Sequence, residues 1–402
     1  MPRYADDGAG PPDVGARLSR RGALHQLWRL ALAATAAPMV SAGCSALNSS
    51  ARDDKWWDSV MTPATDTPTI TASPASRIAA GVRIAPTADY NSDPFFRFDG
   101  CHDILLDSFG AYAQPPEVVV PEIVTDAVDI EAVFRAGRDG AKVIGVRAVV
   151  DGKLSHLQLR RFDAKKGDSY YFRHEFSDPK VRHLKFEVDG ANRFSGVVVG
   201  NHTILRRPES AHMLRHVAIG DSLQSGGANY HPGSEESGDF FYMRWESHSR
   251  FQAALMGCDS YINLGVGGTG WGENVPSDPF SARVPLAVRG VPQILGFYGS
   301  RNDVNHEVQV PHAVEMTLQR VAEVPVVLVS GPQQAGFSRL NELVKQEVEK
   351  SRRIWLDLDG VAAAPTSNPT GHPTFDEQLD LARAAFSQTD MSHVRDAIEH
   401  AK

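Results

Sequence analysis

The chain has 402 residues, 42% apolar and 22% charged, with 34 Gly and 25 Pro spread along it. That is enough for two domains with cores, and it excludes a collagen-like or wholly disordered polymer. The formal charge of -8, from 41 Lys and Arg against 49 Asp and Glu, offers no basic surface for counterion release, so nucleic acid is excluded as a partner.

Residues 1–44 read as an export signal. Ser19-Arg20-Arg21 leads into an Ala-rich apolar run of 11 residues, 30–40. A run of that length is too short for a membrane span, which needs about 20 residues, and it suits a secretory h-region. Arg20-Arg21 with Gly22 and Leu24 resembles the twin-arginine signal. Ser41-Ala42-Gly43-Cys44 resembles a bacterial lipobox, which makes a lipid on Cys44 the one expected link to a membrane. Residues 45–90, rich in Ser, Thr, Pro, Ala and Asp, show little periodicity. They are expected to form a disordered linker, because such a stretch buries too little apolar surface to offset its ordering entropy. Two readings stand for Cys101 and Cys258: a disulfide in an oxidising compartment, or two small buried hydrophobes.

From 91 to 208 the hydrophobic period is two. Val128, Ile130, Ala132 and Phe134 alternate with Asp129, Glu131 and Arg135, while Asp151-Gly152 and Asp189-Gly190 are hairpin signals. This predicts an antiparallel β-sandwich of jelly-roll type. From 209 to 402 strands and helices alternate. Strands are predicted at 214–219, 261–264, 291–298, 324–330 and 354–358. Helices are predicted over 240–256, on Val314, Leu318 and Val321, and on Leu340, Leu343, Val344 and Val348. Such alternation means a mainly parallel sheet with helices on both faces and ligands beyond the carboxyl ends of its strands. The connection at 206–212 is short, which predicts that the first part packs against the second.

Those strand ends carry Gly220-Asp221-Ser222-Leu223, then Gly265-Val266-Gly267-Gly268, then Gly299-Ser300-Arg301-Asn302-Asp303, and near the C-terminus Asp390-Met391-Ser392-His393. A serine hydroxyl needs an adjacent base to become a nucleophile. His393 is expected to be that base, with Asp390 folding back to orient it. The resulting oxyanion needs fixed donors, for which the Ser222 and Gly268 amides and the Asn302 carboxamide are the candidates.

The four blocks resemble those of the SGNH/GDSL hydrolase superfamily, over about 190 residues from Arg215 onward. The resemblance implies a flavodoxin-like three-layer α/β/α domain, ester hydrolysis through an acyl-enzyme, and neither metal nor other cofactor. It also implies Ser222 as nucleophile, Asp390 and His393 as its partners, and Gly268 and Asn302 in the oxyanion hole. Asp221 and Asp303 play supporting parts. In the third block Asn302 stands three residues after Gly299, with Ser300 in the nearer position, a departure from Gly-x-Asn-Asp. The absence of Gly-x-Ser-x-Gly around Ser222 argues against an ordinary α/β-hydrolase. His212 and His216 lack a third metal ligand nearby, and His248 and His312 fall on predicted helices.

A sandwich ahead of such a domain is similar to the arrangement in some carbohydrate esterases. The expected protein is therefore an exported serine esterase acting on O-acylated carbohydrate or a small ester. A lipase or an acyltransferase with the same triad stays open, as does a non-catalytic glycan-binding envelope lipoprotein. Tyr230, Phe240, Phe241 and Trp271 are candidates to stack on a sugar ring, whereas Phe297 belongs to a strand.

Overall fold

The computed structural model describes residues 61, 63–87, 89–137, 143–189, 191–209, 214–225, 244–272, 278–362 and 372–400. The expected export signal, Cys44, His212, Tyr230, Phe240 and Phe241 lie outside these residues.

The N-terminal part holds two antiparallel sheets of seven strands each. In the first, Asp129–Ala136 runs between Ser169–Glu175 and Ala191–Val199. In the second, Arg182–Asp189 runs between Val143–Val150 and Val120–Thr125. Because side chains alternate across a strand, Ile130, Ala132 and Phe134 point the same way, as do Leu184, Phe186 and Val188. All six fall in one buried cluster with Ile144, Val146, Ala148, Phe172 and Phe194.

Residues 63–87 are not the linker that the 45–90 reading expects. Thr69–Ser73 is a strand on Ser169–Glu175, and Val82–Ile84 pairs with Ala191–Val199. Ala64 N–H donates to Leu154 O at 2.9 Å, and Asp66 pairs with Arg182. Only Ile70 of Thr69–Ser73 is buried. An edge strand gets its backbone partners from its neighbour, so it needs little apolar surface of its own.

Five strands make a parallel sheet: β1 (Arg215–Gly220), β2 (Ser260–Asn263), β3 (Ile294–Tyr298), β4 (Val326–Ser330) and β5 (Ile354–Trp355). Their order is β2-β1-β3-β4-β5, the flavodoxin-like doubly wound order, whose switch point lies between β1 and β3. The helices are α1 (His248–Leu255), α2 (Phe280–Arg289), α3 (Val310–Arg320), α4 (Ser338–Lys350), α5 (Phe375–Ser387) and α6 (Met391–His400). One face of the sheet, with Val217, Ile219, Leu295, Phe297 and Val329, buries Val284 of α2, Val314 and Leu318 of α3, and Val344 and Val348 of α4. The other face, with Ala218, Tyr261, Tyr298 and Leu328, buries Phe251 of α1, Leu381 and Ala385 of α5, and Val394 of α6. The result is three layers.

The second apolar cluster also takes in Val120, Val149, Leu154 and Leu159 from the antiparallel part, so the two parts share a core. Charged groups cross the same joint. Glu187 accepts from Arg147 Nε at 2.9 Å and from Arg250 Nε at 2.7 Å, and Arg147 Nη2 donates to Trp245 O at 2.7 Å. Burial works against the Glu187 charge, but the guanidiniums of Arg147 and Arg250 outweigh it and hold the carboxyl below its ordinary range. Removing the acid strands two buried cations. Glu187→Ala should therefore cost about 3–5 kcal/mol, read as a lower urea midpoint, while Glu187→Gln should cost less.

Cys101 and Cys258 are unpaired. Cys101 sits in the antiparallel core, Cys258 packs on the shared cluster, and burial raises both thiols.

Candidate active site

Ser222 stands two residues past Gly220, the last residue of β1, where an apolar strand gives way to a turn. Gly220 is required there: a Cβ on it would sit 2.6 Å from Tyr298 O of the neighbouring strand and 2.2 Å from Gln224 Cγ. Asp221 Oδ1 accepts from Leu223 N–H at 2.8 Å, and Asp221 O accepts from Ser225 N–H at 3.0 Å. These bonds tighten the turn and leave Ser222 partly exposed beside a buried Asp221.

The loops after β2 and β3 close around this turn. Val266 N–H donates to Gly220 O at 3.0 Å, and a Cβ at Gly267 would lie 3.7 Å from Ser222 Cβ. Gly268 has φ +75°, a conformation that costs glycine little. Asp303 accepts from Trp271 N–H and Gly272 N–H, each at 2.9 Å, pinning one loop to the other. Asn302 lies in the short 3-10 helix Arg301–Asp303, and its Nδ2 donates to Thr269 O at 2.8 Å. Ser300 caps that turn by accepting from Asn302 N–H at 3.0 Å and donates to Thr269 O at 2.8 Å. Trp271 and Phe297 are core, with ring centroids 5.3 Å apart. Asp221 and Asp303 are buried near each other. Burial first of all raises both carboxyls, Asp221 to about 6.

The partner of the serine is not the expected histidine. Ser222 Oγ lies 2.9 Å from His372 Nε2. His372 stands two residues ahead of Thr374, the N-cap of α5. There a capping box, with Thr374 Oγ1 accepting from Glu377 N–H and Glu377 accepting from Thr374 N–H, fixes how the chain enters the helix.

Asp390 and His393 are placed differently. Asp390 Oδ1 accepts from Ser392 N–H at 2.9 Å, Ser392 Oγ at 2.6 Å and His393 N–H at 3.4 Å, as an N-cap does at the start of α6. The bond from the Ser392 hydroxyl, with those from the two backbone N–H groups, lowers its pKa. His393 is exposed in the first turn of α6 and makes no hydrogen bond to Ser222. The Asp-x-x-His spacing here serves a helix start. Three residues before His372 stands Pro369, so the same spacing does not recur there.

Sequence reasoning missed two further residues. Arg283 of α2 is buried and donates to Gly220 O (2.9 Å), Leu264 O and Thr269 Oγ1 (2.8 Å), holding the ends of β1 and β2 together. Gln224 contacts His248 and accepts from Ser249, behind the serine turn. The signal for His372 was legible in principle, since Thr374-x-x-Glu377 ahead of an apolar run marks a helix start. His216 and His248 are buried, and His312 is exposed on α3. Among the described residues no cluster of His, Cys, Asp and Glu could hold a metal ion.

No protein-family profile and no curated protein matches the chain. Solved structures do share its fold. A salicylyl-acyltransferase from a tetracycline biosynthetic pathway is 13% identical over 77% of this chain and 96% of that one, with a TM-score of 0.53. A carbohydrate esterase family 2 enzyme from Corynascus thermopiles (Myceliophthora fergusii) is 11% identical over 70% and 94%, with a TM-score of 0.51. An acetyl xylan esterase from the rumen bacterium Butyrivibrio proteoclasticus is 11% identical over 79% and 97%, also with a TM-score of 0.51. The chain thus has the mixed α/β fold found in these carbohydrate esterases and in this acyltransferase.

Proposed function

We propose that the protein is a serine esterase that removes acyl groups from carbohydrate through an acyl-enzyme on Ser222, with His372 as the base. The observation that carries this reading is the 2.9 Å approach of Ser222 Oγ to His372 Nε2 at the carboxyl end of β1. The imidazole takes the hydroxyl proton as oxygen attacks the ester carbonyl, then returns it to the leaving alcohol. The Ser222 and Gly268 amides face the developing oxyanion together with Asn302 Nδ2, whose second hydrogen is left over from its bond to Thr269 O. The fold shared with carbohydrate esterases, one of them an acetyl xylan esterase, supports O-acylated carbohydrate as the substrate class.

A fluorophosphonate probe should label wild-type protein at Ser222, and p-nitrophenyl acetate and acetylated xylan should be hydrolysed. Absence of labelling together with absence of turnover would overturn the reading in favour of a non-catalytic binding protein. Transfer of the acyl group to an added sugar faster than to water would assign an acyltransferase.

We further propose that residues 1–44 export the protein and that Cys44 is lipidated, on the arginine pair, the apolar run and the Ser41-Ala42-Gly43-Cys44 tetrad. Cys44→Ala should move the protein from the membrane fraction to the soluble one. An unchanged distribution would dismiss the anchor.

A further inference from the structure

We propose that a second binding site, selective for an acidic sugar, lies where the antiparallel sheets meet the parallel one, at the end of β1 remote from Ser222. A cavity of about 270 Å³ opens there, walled by Arg97, Arg207, Arg215, Arg289 and His102, and among the described residues no carboxylate lines it. That concentration of cations is conspicuous in a chain of formal charge -8.

The four guanidiniums are not equivalent. Arg97 pairs with Glu122 and Arg289 with Asp103. Among the described residues, the Arg207 guanidinium donates only to the carbonyls of Tyr90 (3.0 Å) and Asp93 (3.1 Å), and that of Arg215 only to Ser260 Oγ (3.3 Å) and Gly290 O (2.8 Å). Neutral acceptors orient these two groups, and the exposed Asp89 carboxylate acts on Arg207 without a hydrogen bond to it. Each keeps N–H donors in a planar fork that matches a carboxylate or a phosphate.

His102 supplies an independent observation. Its side chain is 3% exposed, and Nδ1 is held by Glu117. Nε2 is buried and has no hydrogen-bond partner, an unusual state for a buried polar atom. A Cβ added to Gly290 would lie 2.7 Å from both His102 Nε2 and Arg215 Nη1, so this glycine keeps open the gap between imidazole and guanidinium. Tyr90 and Phe98 complete the wall with aromatic surface suited to the C–H face of a pyranose. The chemistry selected is an oxyanion on the Arg207 and Arg215 forks, a hydroxyl on His102 Nε2 and a sugar ring against the aromatics.

Six residues of β1 separate this cavity from the serine turn, about 20 Å along the strand. The site therefore retains a ligand and takes no part in the chemistry at Ser222. It stands or falls apart from the esterase reading, because the test reads binding and not turnover.

Isothermal titration of the full chain at neutral pH and low ionic strength, with glucuronate, glucose 6-phosphate, inorganic phosphate and glucose, tests the proposal. At least one sugar acid should bind about tenfold or more tighter than both glucose and inorganic phosphate. The stronger of the two acids identifies whether carboxylate or phosphate is the natural group. Gly290→Ala and Arg215→Gln should each weaken that binding about tenfold or more. If either fails to fold, the exposed Arg289→Gln should still weaken it measurably with esterase activity unchanged. No binding of either sugar acid, equal binding of inorganic phosphate, or an affinity unmoved by Arg289→Gln would overturn the site.

Discussion

His372→Ala should lower kcat for p-nitrophenyl acetate by about 10³–10⁶-fold, whereas His393→Ala should leave it within about twofold. The contrast follows from geometry. His372 Nε2 is 2.9 Å from the Ser222 hydroxyl, while His393 is exposed on α6. Ser222→Ala should match His372→Ala, and the double variant should be no worse than either single one, because nucleophile and base act as one unit. Asp390→Ala should reduce thermal stability by a modest amount through loss of a helix cap, about 1 kcal/mol, with kcat unchanged. A collapse of activity in His393→Ala, with His372→Ala near wild type, would return the base to the C-terminal helix.

Acid should unfold the protein steeply between about pH 5.5 and 4. His174, His216 and His248 are buried, and burial lowers their pKa values to about 4, 3 and 3. The sign follows from linkage. An imidazole whose folded pKa lies below its unfolded value, near 6.5, contributes stability that is fully present above that value. Below it the unfolded chain takes up a proton that the native state refuses. Each such histidine removes up to about 1.4 kcal/mol per pH unit. At pH 5 the three together cost about 6 kcal/mol, comparable with the whole stability of a typical domain.

Asp221 opposes this trend. Its carboxyl is raised to about 6, so the native state gains on acidification from pH 7, by about 1–2 kcal/mol at pH 5. Three histidines outweigh one aspartate. Denaturant midpoints measured from pH 7.5 to 4.5 should show a net uptake on unfolding that rises to about two protons near pH 5, about one fewer in His216→Gln. Midpoints flat across that range would refute buried neutral histidines.

Much of the architecture was legible because period and burial agree. Leu184, Phe186 and Val188 alternate in sequence and bury one face, and Val314 and Leu318 mark α3 by their spacing. Ser222 was legible for a related reason: a buried strand ending at Gly220 leaves the next residues no option but a tight turn. The imidazole that meets Ser222 was not, because an Asp followed at short range by Ser and His satisfies a helix N-cap as readily as a catalytic pair. Only the fold distinguishes them, since the Ser222–His372 contact joins residues 150 positions apart. The strand Thr69–Ser73 escaped notice because its hydrogen bonds belong to Ser169–Glu175, a partner that local composition cannot reveal.

The core shared between the antiparallel sheets and the parallel sheet bears on how the chain is made. Val149 and Leu154 emerge early in synthesis, yet the surfaces that cover them, Phe251 and Trp245, follow roughly a hundred residues later. Further back still, His248 N–H waits for Gln378 Oε1, 130 positions downstream. Until α1 and α5 are complete, the nascent chain exposes an apolar sheet face on which Glu187 has Arg147 but not yet Arg250, the kind of surface that chaperones hold. The N-terminal sheets are therefore half of one cooperative folding unit, and shuffling them onto another catalytic domain would carry an unfinished core with them.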